Sequence, residues 1–295
     1  MFGAICGDIL GSTVEFDEIK YHDIEKIRLC LDTDHITDDS ALTFAVADWL
    51  LHDIKSCCDN DEELKKRLAK RFVQYSFYTF DNIQLGFGSS FRQWCCKADL
   101  LQEYAPYNSY GNGSGMRVSP VGWFFDTLEE TLHFAKLSAD VTHNHPEGEK
   151  GAMCIAAAVY LARTGQSKED IRSALYQAFG YEQLRKSVAE IRENCSWSEI
   201  CQDTVPMAVV AFLESDDFET AVKLAISYGS DSDTIAAMAG SIAGAYYGGI
   251  PQKIADFCRM KIPDSQLVML NEFYDTVKGD SGYTQNNSYT GFFGK

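Results

Sequence analysis

The sequence holds no C-x-x-C pair, no long run of Lys and Arg, no Pro/Gly/Ser-rich linker and no apolar stretch of the ~18 residues that a membrane span requires. Each absence removes a class of protein. Ten cysteines without a C-x-x-C pair give little support to a disulfide scaffold or a zinc site. Met1, Phe2 and Gly3 run directly into a patterned segment with no secretory leader, so the expectation is a cytoplasmic protein with free, mostly buried thiols. Positive charge is scarce: 26 Lys and Arg stand against 43 Asp and Glu, a net charge of -17. Binding to a nucleic-acid backbone needs cationic neutralisation and is not expected. A small anion held by metal or by backbone amides remains compatible. Without a linker or a break in composition, the 295 residues read as one domain, 1–295, with 279–295 an irregular, polar, Gly-rich tail.

Alternating strand patterns are also missing, and helical periodicity takes their place. In "DDSALTFAVADWLLHDI" (38–54), Leu42, Ala45, Val46, Trp49 and Leu50 fall on one stripe. Segments 62–77, 149–165, 168–180, 181–194, 204–215, 218–229 and 233–251 read as further helices. The fold class is therefore all-α. Gly3, Gly7 and Gly11 are four apart, as are Ala236, Gly240 and Gly244. Small residues at that spacing line one helix face and let another helix approach closely.

Two acid–hydroxyl clusters stand before apolar helices. The first is Thr37, Asp38 and Asp39; the second is Asp231, Asp233 and Thr234. Any one of these residues can cap a helix through its side-chain oxygen. Asp231 and Asp233, two apart, converge only if they precede a helix that starts near Thr234. Four carboxylates in one place need raised pKa values or neutralising cations, and oxygen donors suit Mg²⁺, Mn²⁺ or Ca²⁺. An EF-hand over 32–43 fails, because Gly at its sixth position and Glu at its twelfth are absent. Capping and a two-metal site both remain open on spacing alone. "YGNGSGMRVSP" (110–120) is a Gly-rich loop whose glycines allow positive φ and close approach, and whose N–H groups can form an anion nest. "THNHPEG" (142–148) reads as a capped loop or, with its single His pair, as a weak zinc motif.

Five blocks in order from residue 3 to 251 resemble the ADP-ribosylglycohydrolase family, related to dinitrogenase-reductase-activating glycohydrolase. They are "GAICGDILGSTVEF", "TDDSALTFAVADWL", "GNGSGMRVSPVGW", "THNHPEGEKGA" and "GSDSDTIAAMAGSIAGAYYGGIP". The resemblance implies a compact orthogonal all-α fold with a binuclear centre of two Mg²⁺, or Mn²⁺. Thr37, Asp38 and Asp39 match one ligand group, and Asp231, Asp233 and Thr234 match the other. Glu15 matches an acid that contacts metal or acts in catalysis; Asp38 or Asp233 could handle the proton instead. Tyr110, Gly111, Asn112, Gly113 and Ser114 match the loop that cradles a diphosphate, and His143 matches a ligand contact. Asp8 is read as ordering the site rather than touching ligand.

The implied reaction is cleavage of the glycosidic bond between ADP-ribose and a modified protein side chain, with arginine favoured over serine. Segment 77–94, with Asp81, Phe87 and Phe91, reads either as a loop flanking the scissile bond or as a surface loop tucked in by aromatics. A non-catalytic ADP-ribose binder and a structural protein like the lens crystallins of this family are the alternatives.

Overall fold

A computed structural model describes residues 1–54, 60–80 and 85–281. In chain order the helices are α1 (Phe2–Gly11), α2 (Asp38–His52), α3 (Asp61–Gln74), α4 (Ser89–Leu101), α5 (Gly113–Met116), α6 (Ser119–Phe124), α7 (Leu128–Asp140), α8 (Pro146–Arg163), α9 (Lys168–Phe179), α10 (Val188–Asn194), α11 (Cys201–Glu214), α12 (Phe218–Ile226), α13 (Ser232–Tyr246), α14 (Gln252–Lys261) and α15 (Asp264–Ser281). Among the described residues the one β-type pairing is an isolated bridge between Gly111 and Ile200. The all-α class holds. No helix there is long and apolar enough to cross a membrane.

The starts of these helices follow their capping residues. Thr37, Asn60, Thr127, Ser167, Ser187 and Asp217 each accept a backbone N–H of the first turn. Ser187 and Glu190 form a full capping box. That box restarts the chain, so 181–194 is a 3₁₀ turn (Glu182–Arg185) followed by α10, not the single helix its periodicity suggested. Pro206 inside α11 cannot donate to the carbonyl of Gln202. The Gln183 side chain fills that place with a 3.2 Å hydrogen bond.

Helices α1 and α13 form the centre. Every residue of α1 is buried, as is α13 from Ser232 to Ala245. Their contact is the most extensive between any two described helices, and small residues make it possible. A Cβ on Gly7 would sit 2.0 Å from the Ala236 carbonyl oxygen, and one on Gly3 would sit 2.2 Å from that of Gly240. The axes are therefore as close as backbone permits, and the C-terminus of α1 is held against the first turn of α13. Helices α8, α11 and α12 pack on α13, while α2 joins α1 to α3, α6 and α15.

Two regions differ from their expected form. Within 77–94, Phe77 to Thr79 close a π turn after α3 and Ser89 onward belongs to α4, so of the described residues only 80 and 85–88 lie outside helical elements; Asp81 lies outside the described residues. Phe91, Trp94, Cys95 and Ala98 bury one face of α4. Helix α15 continues to Ser281, so the first residues of the supposed tail are helical, and the remainder lies outside the described residues.

Candidate active site

The helix starts of α2 and α13 meet beside the end of α1. Thr37 is the N-cap of α2 in extended conformation, and its hydroxyl accepts the Asp39 N–H. Asp8, fully buried in α1, completes the cap from across the interface. Its carboxylate accepts the Thr37 hydroxyl (2.7 Å), the Thr37 N–H (3.1 Å) and the Ser40 N–H (3.1 Å), together with the Ser40 hydroxyl. Asp8 thus orders the first acid cluster, as expected. The Thr37 hydroxyl, engaged with Asp8 and Asp39, keeps one lone pair for a further partner.

Asp231 is the N-cap of α13, which begins at Ser232 rather than near Thr234. Its non-helical backbone (φ -64°, ψ 80°) lets its carboxylate turn toward that of Asp233. The clusters then join: the Thr234 hydroxyl donates to Asp39 Oδ2 at 3.1 Å. Glu15 follows the 3₁₀ turn Ser12–Val14, and its carbonyl accepts Trp197 Nε1 (3.3 Å). Oxygens of Glu15, Asp231 and Asp233 lie within 4.8 Å of one another.

No Lys, Arg or His pairs with these acids among the described residues, and the charge has visible consequences. Burial, with Asp233 and Asp8 adding repulsion, pushes Glu15 up to about 8. Burial pushes Asp231 up to about 6, against the hydrogen bonds that favour its charged form. Asp38 and Asp39 are raised well above the usual carboxylate range by burial and then by Asp233. Asp233 is raised by burial and then by Asp231. Asp39 Oδ1 is buried without a hydrogen-bond partner. Crowded carboxylates, an orphaned carboxylate oxygen and neighbouring hydroxyls make a hard-oxygen donor set that fits divalent cations.

These groups line one wall of a cleft of about 400 Å³ whose other wall includes Gly111, Asn112, Gly113 and His143. The glycine loop differs from its expected form. None of Gly111, Gly113 and Gly115 has positive φ; Gly113–Met116 is a single helical turn. Glycine serves close approach instead, since a Cβ on Gly113 would lie 3.0 Å from His143 Nε2. The N–H groups of Gly113 and Ser114 open the turn without an intrahelical acceptor, whereas Gly111 and Asn112 donate to the Ser109 hydroxyl and the Glu199 carbonyl. The Asn112 side chain donates to Asp231 Oδ2 at 2.6 Å, so it braces the acid cluster.

Two residues expected at the ligand are turned away. The Ser114 hydroxyl is buried and donates to the Gly148 carbonyl (2.7 Å), and the residue is not part of the cleft lining. Tyr110 is 46% exposed against His145, outside the cleft lining. Asp38, Asp39, Asp231, Asp233, Thr234, Glu15 and His143 are brought together. Phe91 also reaches the cleft, while Phe87 stacks behind it at 5.2 Å.

Arg117, Tyr107, Phe16 and Trp197 line the cleft without having been singled out. Arg117 carried a signal, a cation inside the otherwise apolar "GMRVSPVGW". Trp197 carried none, because it reaches Glu15 only through the fold.

Comparison with known proteins shows the family and the fold. The family model described as ADP-ribosylglycohydrolase matches residues 1–278. ADP-ribosylhydrolase ARH3 of Homo sapiens is 27% identical, covering 83% of this chain and 84% of its own. ADP-ribosylarginine hydrolase Tri1 of Pseudomonas putida (strain GB-1) is 27% identical over 85% of this chain and 71% of its own. A solved ADP-ribosylglycohydrolase-related protein complex shares the fold, with a TM-score of 0.62, 22% identity and coverage of 88% of this chain and 96% of that one. With the acid clusters, glycine turn and buried histidine meeting in one cleft, the chain belongs to the ADP-ribosylglycohydrolase family.

Proposed function

We propose that this protein hydrolyses the glycosidic bond between ADP-ribose and a modified protein side chain, arginine in preference to serine, and that it requires two Mg²⁺ or Mn²⁺ ions. The observation that carries this reading is the convergence of Glu15, Asp231 and Asp233 within 4.8 Å beside Asp38 and Asp39 on one cleft wall. Asp38, Asp39, Asp231, Asp233, Thr234 and Thr37 would hold the cations. Bound there, divalent ions would supply charge stabilisation and acidify a coordinated water.

The chain's own residues account for the other tasks. The Gly113 and Ser114 N–H groups and His143 donate to the diphosphate. Glu15, half-buried at the cleft wall, handles the proton: it takes one from the attacking water as the water oxygen bonds to the anomeric carbon. The bond to the side-chain nitrogen breaks, and that nitrogen takes the proton that Glu15 removed from the water. Glu15 can act as base only as a carboxylate, so its elevated pKa must fall when the surrounding negative charge is compensated.

Two observations favour arginine. The relative Tri1 is named an ADP-ribosylarginine hydrolase. Phe16, 74% exposed, and Trp197 lie with ring centroids 6.3 Å apart beside Glu15, offering aromatic faces to a guanidinium. The deciding experiment measures release of free ADP-ribose from Arg-, Ser-, Thr- and Cys-linked substrates with Mg²⁺ and with EDTA. Release from the arginine linkage that EDTA abolishes is expected. Equal release in EDTA would remove the cations from the mechanism, and release from serine alone would overturn the linkage.

A further inference from the structure

Arg117 occupies an unusual position. It is fully buried, its guanidinium lies 4.2 Å from the centroid of the Phe72 ring, and no carboxylate pairs with it among the described residues. Nε and Nη1 have no hydrogen-bond partner. Only Nη2 is engaged, donating to the Ser138 carbonyl (3.2 Å) and to Thr142 Oγ1 (2.8 Å). A buried, unpaired guanidinium is costly, and a purely apolar residue of similar size would pack against Phe72 without that cost. Its hydrogen bonds to the protein all come from Nη2.

The contact made there has a definite polarity. A guanidinium can only donate, so Thr142 Oγ1 is the acceptor. Among the described residues the one acceptor within reach of the Thr142 hydroxyl hydrogen is His143 Nδ1, at 2.7 Å, and a buried hydroxyl left without an acceptor is costly, so the hydrogen is directed there. A ring nitrogen that accepts carries no proton, so the neutral imidazole bears its proton on Nε2. That nitrogen faces the glycine turn, close to Gly113 and Gly111, on the cleft wall. The backbone below is fixed as well, because the Thr142 and His143 N–H groups share the Ala139 carbonyl (3.0 and 2.7 Å).

We infer that Arg117 and Thr142 are positioning residues that hold His143 as its Nε2–H tautomer, so that the ring presents a donor to an oxygen of the bound ADP-ribose. The nature of that ligand rests on the proposed function; the tautomer does not. Burial and then the nearby positive charge of Arg117 also lower the pKa of His143, which keeps the ring neutral and its Nδ1 lone pair free to accept.

The test separates the two. In ligand-free ¹⁵N-labelled protein at neutral pH, two-bond ¹H–¹⁵N correlations report which nitrogen of each histidine carries the proton. His143→Gln identifies the His143 signals among the six histidines. The expected result is a single Nε2–H tautomer in the unaltered protein, a mixed population in Thr142→Val, and restoration in Thr142→Ser. Thr142→Val should also weaken free ADP-ribose binding by about five- to tenfold, the size of one neutral hydrogen bond, with Thr142→Ser close to the unaltered protein. A proton on Nδ1 in the unaltered protein overturns the inference, and this result does not depend on any variant folding. So does an unchanged tautomer and affinity in a folded Thr142→Val. An unaltered protein that neither binds nor releases ADP-ribose would overturn the proposed function instead, while its spectrum still decides the linkage from Arg117 to His143.

Discussion

At the scale of single residues, the site is defined by uncompensated charge. Asp38, Asp39, Asp231 and Asp233 are all held above the ordinary carboxylate range, and Asp39 Oδ1 has no partner. Asp233→Asn removes one charge and keeps the shape. Titration calorimetry with Mg²⁺ is expected to show an affinity loss of about a hundredfold or more, with turnover lost and the melting temperature in EDTA unchanged or higher, since one repulsive buried charge is gone. Unchanged Mg²⁺ affinity would sink the ligand assignment. These acids were legible in the sequence because hydroxyl and carboxylate recur together just before apolar runs. Arg117 and Trp197 were not assigned a role, since what they do depends on Thr142 and Glu15, partners that no local pattern announces.

At the scale of helices, the contact between α1 and α13 carries the geometry. A Cβ on Gly11 would lie 2.6 Å from the Asp233 Cα and from the Ser232 carbonyl oxygen, whereas one on Gly7 would strike the Ala236 backbone a turn further along. Both alanine variants overpack the interface and are expected to destabilise the protein by about 2–4 kcal/mol in urea unfolding. They should differ in function. Gly11→Ala displaces the backbone of a proposed ligand and should reduce Mg²⁺ affinity more than Gly7→Ala does; equal affinities would separate the packing from the site.

The four-residue spacing of Gly3, Gly7 and Gly11 and of Ala236, Gly240 and Gly244 made close packing readable. Helix α4 was misread because "GFGSS" (86–90) begins it with turn-forming residues, while Phe91, Trp94, Cys95 and Ala98 supply the helical face only afterwards. The split of 181–194 was missed because Ser187 and Glu190 sit within an otherwise continuous period.

At the scale of the whole molecule, the clustered acids couple folding to protons and cations. Glu15 sits at about 8 and Asp231 at about 6 in the fold, against 4.5 and 3.8 as ordinary values. Both folded values are raised, so the folded state binds more protons and the associated stability is lost as pH rises through them. The melting temperature of the protein in EDTA should therefore fall between about pH 6 and pH 8. Added Mg²⁺ should raise it more at pH 8, where protons no longer compete for the carboxylates. A melting temperature in EDTA that rises over this range would contradict the raised pKa values of Glu15 and Asp231.

The sequence by itself determined the all-α class, the close-packing faces and both acid clusters, because helical period, small-residue spacing and cap chemistry are local properties of the chain. Only the tertiary structure decided that Thr234 reaches Asp39 across 195 positions, that Asn112 braces Asp231 and that Ser114 and Tyr110 turn away from the cleft. Side-chain direction at a site depends on which helices press against it, and that is settled by the packing of distant segments.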